Sequence, residues 1–380
     1  MISSILMSAM DFAKLLGREP MTIEEIDEVL LKGKIHASDL NSPRSSEFVV
    51  NNRNQKLHVR SFWPAKPPKA FMIFLHGYAS HGNRPTHVYL AEEFGQHDIG
   101  YVTLDFHTHG YSDCEIRCHI EKADDLVDDV LSVLLAFFSN STTTGTYNVA
   151  RNVHHVPFFF IGHSMGGGVS FLLSNLLSNG ETAVACTDFY RTNSEIFKAK
   201  INPYFRGALL MGPLVKVLVP DWLIAIVSPV AYWLPTMPIP TMFRDEIALC
   251  RANWRSDKYI NYVLSDSYPT QPNGLMYMGG MRLGTAQALL DTAALVTKSA
   301  VQANYPFLIV HDPNDVTVNI EGSRFFVEHA PTMDKTLIEL DGGRHDPIAN
   351  HIDIVFKFIL DFVHKHWEKK SGAGGDRSQH

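Results

Sequence analysis

The chain is short of charge and of cysteine for its length. Of 380 residues only 19% are Asp, Glu, Lys or Arg, and the formal net charge is −7 with histidine neutral. The basic residues are dispersed and form no block, which excludes a cationic stripe for nucleic acid. Four cysteines, Cys114, Cys118, Cys186 and Cys250, do not make a disulfide scaffold and point to a reducing compartment, so the expected location is cytoplasmic. Cys114, Cys118 and His119, with His107 and His109 upstream, can be drawn as a ligand cluster. Their spacing departs from the Cys-x-x-Cys zinc pattern and no second pair answers it, so core or redox cysteines are the preferred reading and neither a metal nor another cofactor is expected. No basic residue precedes the short apolar run before Asp11, unlike a secretory signal. The densest apolar region, 213–300, is broken by Pro220, Pro229, Pro235, Pro238 and Pro240, which argues against a single membrane-spanning helix.

What the chain does have is apolar mass, 45% of its residues, enough for one large α/β core with insertions. Continuous apolar runs at Ala70 to Leu75, Tyr101 to Asp105, Val156 to Ile161, Gly207 to Gly212, Pro306 to His311 and Lys335 to Leu340 read as buried strands. Segments with apolar residues at helical spacing alternate with them, as from Lys122 to Phe138 (Leu126, Val130, Val133 and Leu134). Such alternation implies right-handed crossovers and a mostly parallel, doubly wound sheet. Glu47 to Trp63 reads as a hairpin about Asn51-Asn-Arg-Asn54. Residues 1 to 40 read as helical and peripheral, opened in part by the capping box Thr22-Ile-Glu-Glu25. Ser139 to Asn152 reads as a surface loop, Asn179 to Lys200 as a polar, exposed insertion, and the tail from Ser371 as disordered. The expected divisions are a helical extension over 1–45, an α/β core over 46–212 and 301–368, a helical cap over 213–300 inserted into that core, and a tail over 369–380.

One strand run ends on Gly162-His-Ser-Met-Gly166, so Ser164 stands between two glycines at a strand-to-helix turn. A serine on such an elbow is held in a strained conformation that tolerates only small residues two positions either side. A nucleophilic serine needs a base and an orienting acid, which on this kind of sheet follow in the order Ser, Asp or Glu, His. Asp315 and His345 each lie just beyond a strand, on the sheet edge expected to carry Ser164. Asp312 is a competitor nearer its strand; Asp315 is preferred as better placed to turn back over the sheet. His329, His351 and His364 fall on helical stretches and His163 is read as supporting the elbow. Two backbone N–H groups, those of Tyr78 and Met165, are the natural donors to an oxyanion.

His76-Gly77-Tyr78, Asp105 with His109-Gly110-Tyr111-Ser112, Gly162-His-Ser-Met-Gly-Gly167, Asp315 and His345 together resemble the monoacylglycerol lipase and lysophospholipase branch of the α/β-hydrolase superfamily over about residues 47 to 368. The resemblance implies an α/β-hydrolase fold, Ser164, Asp315 and His345 as catalytic triad, and the amides of Tyr78 and Met165 as oxyanion hole. Departures are Thr108 where glycine is usual, insertions near 141–155 and 180–204, and the first forty residues. The function it implies is hydrolysis of a lipid acyl ester, a monoacylglycerol or lysophospholipid, through an acyl-enzyme. The alternatives are a carboxylesterase or thioesterase on other acyl substrates, or a non-catalytic ligand-binding scaffold; epoxide or haloalkane hydrolysis normally requires a carboxylate where Ser164 stands. Because apolar residues between Leu214 and Phe243 exceed what one buried helical stripe needs, Leu214, Trp222 and Leu223 are expected to line an acyl pocket, with the outer face of the cap touching a membrane peripherally.

Overall fold

Nine strands form one sheet in the computed structural model of the protein, in the spatial order Ser4–Leu6, Lys335–Glu339, Phe307–His311, Phe205–Met211, Phe158–His163, Ala70–Leu75, Ile99–Leu104, Lys56–Phe62 and Arg44–Val50. The structure describes residues 4–6, 9–36, 44–138, 153, 155–217, 221–241 and 245–368. The strands are β1 (Ser4–Leu6), β2 (Arg44–Val50), β3 (Lys56–Phe62), β4 (Ala70–Leu75), β5 (Ile99–Leu104), β6 (Phe158–His163), β7 (Phe205–Met211), β10 (Phe307–His311) and β11 (Lys335–Glu339), while β8 (Ser267–Tyr268) and β9 (Met276–Tyr277) make a separate two-stranded ribbon. Every pair from β1 to β5 across the sheet is parallel; β3 joins β5 antiparallel and carries β2 as a hairpin. The fold is therefore α/β, with the mostly parallel sheet implied by the alternation of strand and helix.

The central strands are apolar throughout because helices cover both faces of the sheet. In β6, Phe158 and Phe160 enter one core and Phe159 and Ile161 the other, as the two-residue period of a strand requires. The helices Ala123–Phe138 and Met165–Asn179 pack on the first face and Pro85–Gln96 and Ile352–His366 on the second. Parallel strands bring their C-terminal ends to one edge, and that edge receives the loops after β4, β6, β10 and β11.

Three stretches differ from the sequence expectation. The N-terminal helices Ala9–Leu16 and Ile23–His36 are present, the second opened by reciprocal bonds between Thr22 and Glu25. Ahead of them, Ser4–Leu6 adds a parallel edge strand to β11. Three residues are too few to display a strand period, and the partner comes from the far end of the chain. The stretch expected as an exposed insertion, 179–200, instead buries Tyr190 and Phe197 in the main core. Its short helical turns, including the π-helical Phe197–Ile201, carry no regular apolar spacing to announce that burial. Within 213–300, the helices Asp221–Trp233, Glu246–Asn253 and Asp257–Ser265 are followed by Leu283–Ser299, which packs on Met165–Asn179 with Ala288 and Val296 in the core. The loop read at 139–152 lies outside the described residues, as does the tail from 369.

Candidate active site

Ser164 joins β6 to the helix Met165–Asn179 with φ 53° and ψ −118°, a left-handed conformation for a residue with a side chain. Strain of about 1–3 kcal/mol is typical of such positions and persists only when the surroundings enforce it. Here the serine N–H donates to the Met211 carbonyl at 3.0 Å, and its own carbonyl accepts from Gly168 at 3.1 Å and Leu214 at 2.9 Å. A Cβ on Gly166 would overlap the carbonyl oxygen of Leu75, and one on Gly162 the carbonyl oxygen of Gly166. Both glycines are thus demanded by contact between the elbow and its neighbouring backbone.

His345, in the loop after β11, brings Nε2 to 2.9 Å from Ser164 Oγ, and its Nδ1 lies 2.7 Å from Asp315 Oδ2. The Asp315 side chain, in the loop after β10, is closed to solvent. Its Oδ1 accepts the backbone N–H groups of Thr317 at 2.7 Å and Val318 at 3.1 Å, and its Oδ2 also meets His311 Nε2 at 3.2 Å. Burial by itself would raise the carboxyl pKa, but the bonds from His311 and His345 outweigh it and hold the group well below the usual carboxylate range. Asp312 has a different duty: its carboxylate accepts the N–H groups of Asn314 at 2.7 Å and Arg344 at 2.6 Å, which shapes the two loops. His163 is engaged elsewhere: its Nε2–H donates to the His345 carbonyl at 2.7 Å. Burial pushes its pKa down to about 4, so the ring is a neutral brace.

The loop after β4 lies against the same serine. A Cβ on Gly77 would stand 3.1 Å from Ser164 Cβ, so the absence of a side chain lets the Tyr78 turn approach the nucleophile. His76 Nδ1–H donates to the Gly77 carbonyl at 2.7 Å while its Nε2 accepts from Phe106 N–H at 3.1 Å. Buried Asp105 secures the outer part of that loop through Gly82 N–H at 2.6 Å, and pairs with His58 at 2.9 Å.

Ser164, His345, Tyr78 and Met165 border a cavity of about 560 Å³ whose walls are mainly apolar, with Leu214, Ile239 and Met276 among them. Leu214 is therefore part of the cavity wall. Trp222 does not line the cavity; it is 66% exposed on the helix Asp221–Trp233. Leu223 lies on the same helix, with its side chain outside the described part. Cys118 is buried and Cys114 exposed, and among the described residues no group of three or more His, Cys, Asp or Glu is placed to hold a metal. Sequence reasoning passed over His311; its spacing of four from Asp315, across a tight turn, was the available signal.

A serine, an imidazole and a buried carboxylate bonded in series can move a proton off the hydroxyl as it attacks an acyl carbon. The family model described as serine aminopeptidase, S33, matches residues 66–351. The monoacylglycerol lipase of Mycolicibacterium smegmatis is 23% identical over 327 residues, covering 85% of this chain and 97% of that protein. The monoglyceride lipase of Mus musculus is 25% identical over 307 residues, covering 78% and 82%. A soluble variant of the monoglyceride lipase from Saccharomyces cerevisiae, solved in complex with a substrate analogue, has a TM-score of 0.59 at 17% identity over 86% of this chain and 95% of that one, a likeness of fold.

Proposed function

The chain belongs to the serine aminopeptidase, S33, family of hydrolases, and on that premise we propose that it is a serine ester hydrolase acting on lipid acyl esters of the monoacylglycerol or lysophospholipid kind. The observation that carries the reading is the bonded series Ser164, His345 and Asp315 at the floor of an apolar cavity. Ser164 Oγ attacks the ester carbonyl as His345 Nε2 takes its proton. The oxyanion that forms is met by the backbone N–H groups of Tyr78 and Met165, both of which border the cavity beside the serine. His345 then returns the proton to the departing alcohol, and water, activated by the same imidazole, releases the fatty acid. Asp315 holds the ring in the required tautomer and stabilises the imidazolium.

Two facts favour a lipid over a peptide. The walls are apolar, suited to an acyl chain. They carry Arg84 and Lys216 but, among the described residues, no Asp or Glu, so the ammonium group of an aminopeptidase substrate would meet no carboxylate there. The names of the relatives agree with this choice.

The test is labelling by a fluorophosphonate together with hydrolysis of a monoacylglycerol, a lysophospholipid and a water-soluble thioester. Wild type is expected to label once and to cleave a glycerolipid, while Ser164→Ala neither labels nor retains more than about a thousandth of the rate. Labelling that survives in Ser164→Ala rejects the nucleophile, and cleavage of the thioester alone rejects the lipid.

A further inference from the structure

An α-helix ends with carbonyls that have no partner within the helix, and a helix buried at its C-terminus must find donors for them elsewhere. The helix Glu246–Asn253 finds them on the loop that carries His345. Its Arg251 carbonyl, and that of Trp254 just beyond, each accept from Arg344 Nη1 at 2.5 Å. The Ala252 carbonyl accepts the backbone N–H of His345 itself at 3.4 Å, and the Asn253 carbonyl accepts Asn350 Nδ2 at 2.7 Å. Asn350 returns the connection, its Oδ1 accepting the N–H of Arg255 at 2.8 Å, and Trp254 Nε1–H donates to Asp346 at 2.9 Å. The donors to the helix end come from Arg344, immediately before His345, from His345 itself and from Asn350 five residues on.

The other side of this helix end is the cavity wall: Leu249, Cys250, Asn253 and Trp254 all line it. Arg344 is also held in the left-handed region, φ 47°, where a residue with a side chain is strained. Its backbone N–H is pinned by Asp312 and its guanidinium by the helix, so the conformation that presents His345 is fixed from both ends.

We propose that Arg344 is a positioning residue, with Asn350 as its second tie, that locks His345 to the helix Glu246–Asn253 so that the cavity wall and the general base form one rigid body. The proposal rests on the reading of Ser164 and His345 as nucleophile and base. Arg344 is only half-buried, so removing its guanidinium leaves the core intact while freeing the histidine loop.

The experiment compares wild type, Arg344→Met and Arg344→Lys in three measurements: the rate of fluorophosphonate labelling at Ser164, kcat and KM on a monoacylglycerol, and the thermal midpoint. For Arg344→Met, labelling and kcat are expected to fall by about tenfold or more with KM within about twofold, because a displaced base slows the chemical step and not binding. Arg344→Lys keeps a donor for the carbonyls and is expected to recover to within about threefold of wild type. Labelling of Arg344→Met at the wild-type rate overturns the proposal, as does a lysine variant no better than the methionine one. A loss confined to KM or to the thermal midpoint overturns it too. If Arg344→Met does not fold, Arg344→Leu, which likewise carries no donor, is measured in its place under the same criteria. Failure of wild type to label at Ser164 would instead reject the serine hydrolase reading.

Discussion

His76, which opens the turn bearing Tyr78, provides a test of how the site is built. Its Nδ1–H donates to the Gly77 carbonyl and its Nε2 accepts the Phe106 N–H, so both ring nitrogens are committed to the neutral form. A proton added at Nε2 would set one N–H against another in a site only 1% exposed. Burial lowers the pKa from 6.5 to about 4, against the upward pull of Asp105. The unfolded chain therefore binds a proton near 6.5 that the native state refuses until about 4. Stability from this group is complete above the unfolded value and declines as pH falls through that window. Between about pH 7.5 and about pH 4.5 the decline is roughly 2–3 kcal/mol for this one side chain. The perturbation is His76→Gln, whose amide offers a donor and an acceptor but does not titrate. In urea unfolding at both pH values, the variant is expected to be less stable than wild type at the higher pH by about 1–3 kcal/mol. That gap should shrink by roughly 2–3 kcal/mol at the lower pH, changing sign where the starting gap is smaller than that shift. Buried His163, lowered to about 4, acts in the same direction in both proteins and cancels in the difference. A gap that stays constant with pH would refute the assignment of His76 as a neutral, doubly bonded ring.

Other expectations concern the acid, the elbow and the outer surface. Asp315→Asn should lower kcat by about 10³- to 10⁴-fold, while Asp312→Asn, which touches neither His345 Nδ1 nor Ser164, should stay within about tenfold of wild type; the reverse order in steady-state rates would reassign the acid. Gly166→Ala should cost at least about 3 kcal/mol in a thermal melt, or prevent folding, because the new methyl overlaps the Leu75 carbonyl. Trp222, Tyr232 and Trp233 are 66%, 78% and 79% exposed. Replacing all three by serine should change folding stability by no more than about 0.5 kcal/mol per site and weaken sedimentation with liposomes; unchanged liposome binding would remove the membrane-facing reading of this helix.

The sequence by itself determined what depends on short-range geometry. Gly162-His-Ser-Met-Gly166 announced the elbow because five consecutive residues hold both glycines, Gly162 meeting its obstacle inside the turn and Gly166 at the Leu75 carbonyl of the adjacent strand. The central strands were legible because burial on both faces leaves no polar residue to alternate, as in Phe158–His163. Asp315 and His345 could be chosen because each follows a legible strand, and the ends of parallel strands share an edge; the structure brings them into one bonded series with Ser164. The tertiary structure alone decided the contacts whose partners lie far apart in the chain and follow no period. Ser4–Leu6 became a strand because β11 offered an open edge. Tyr190 and Phe197 were buried by helical turns too irregular to leave an apolar pattern. Trp222 was placed outside the cavity and Leu214 inside it, a distinction of facing that a broken apolar run does not encode. The same holds for Arg344: nothing in its neighbours shows that its guanidinium closes the end of a helix some ninety residues earlier, because carbonyls are the same in every residue and only the folded chain decides which of them are left without a donor.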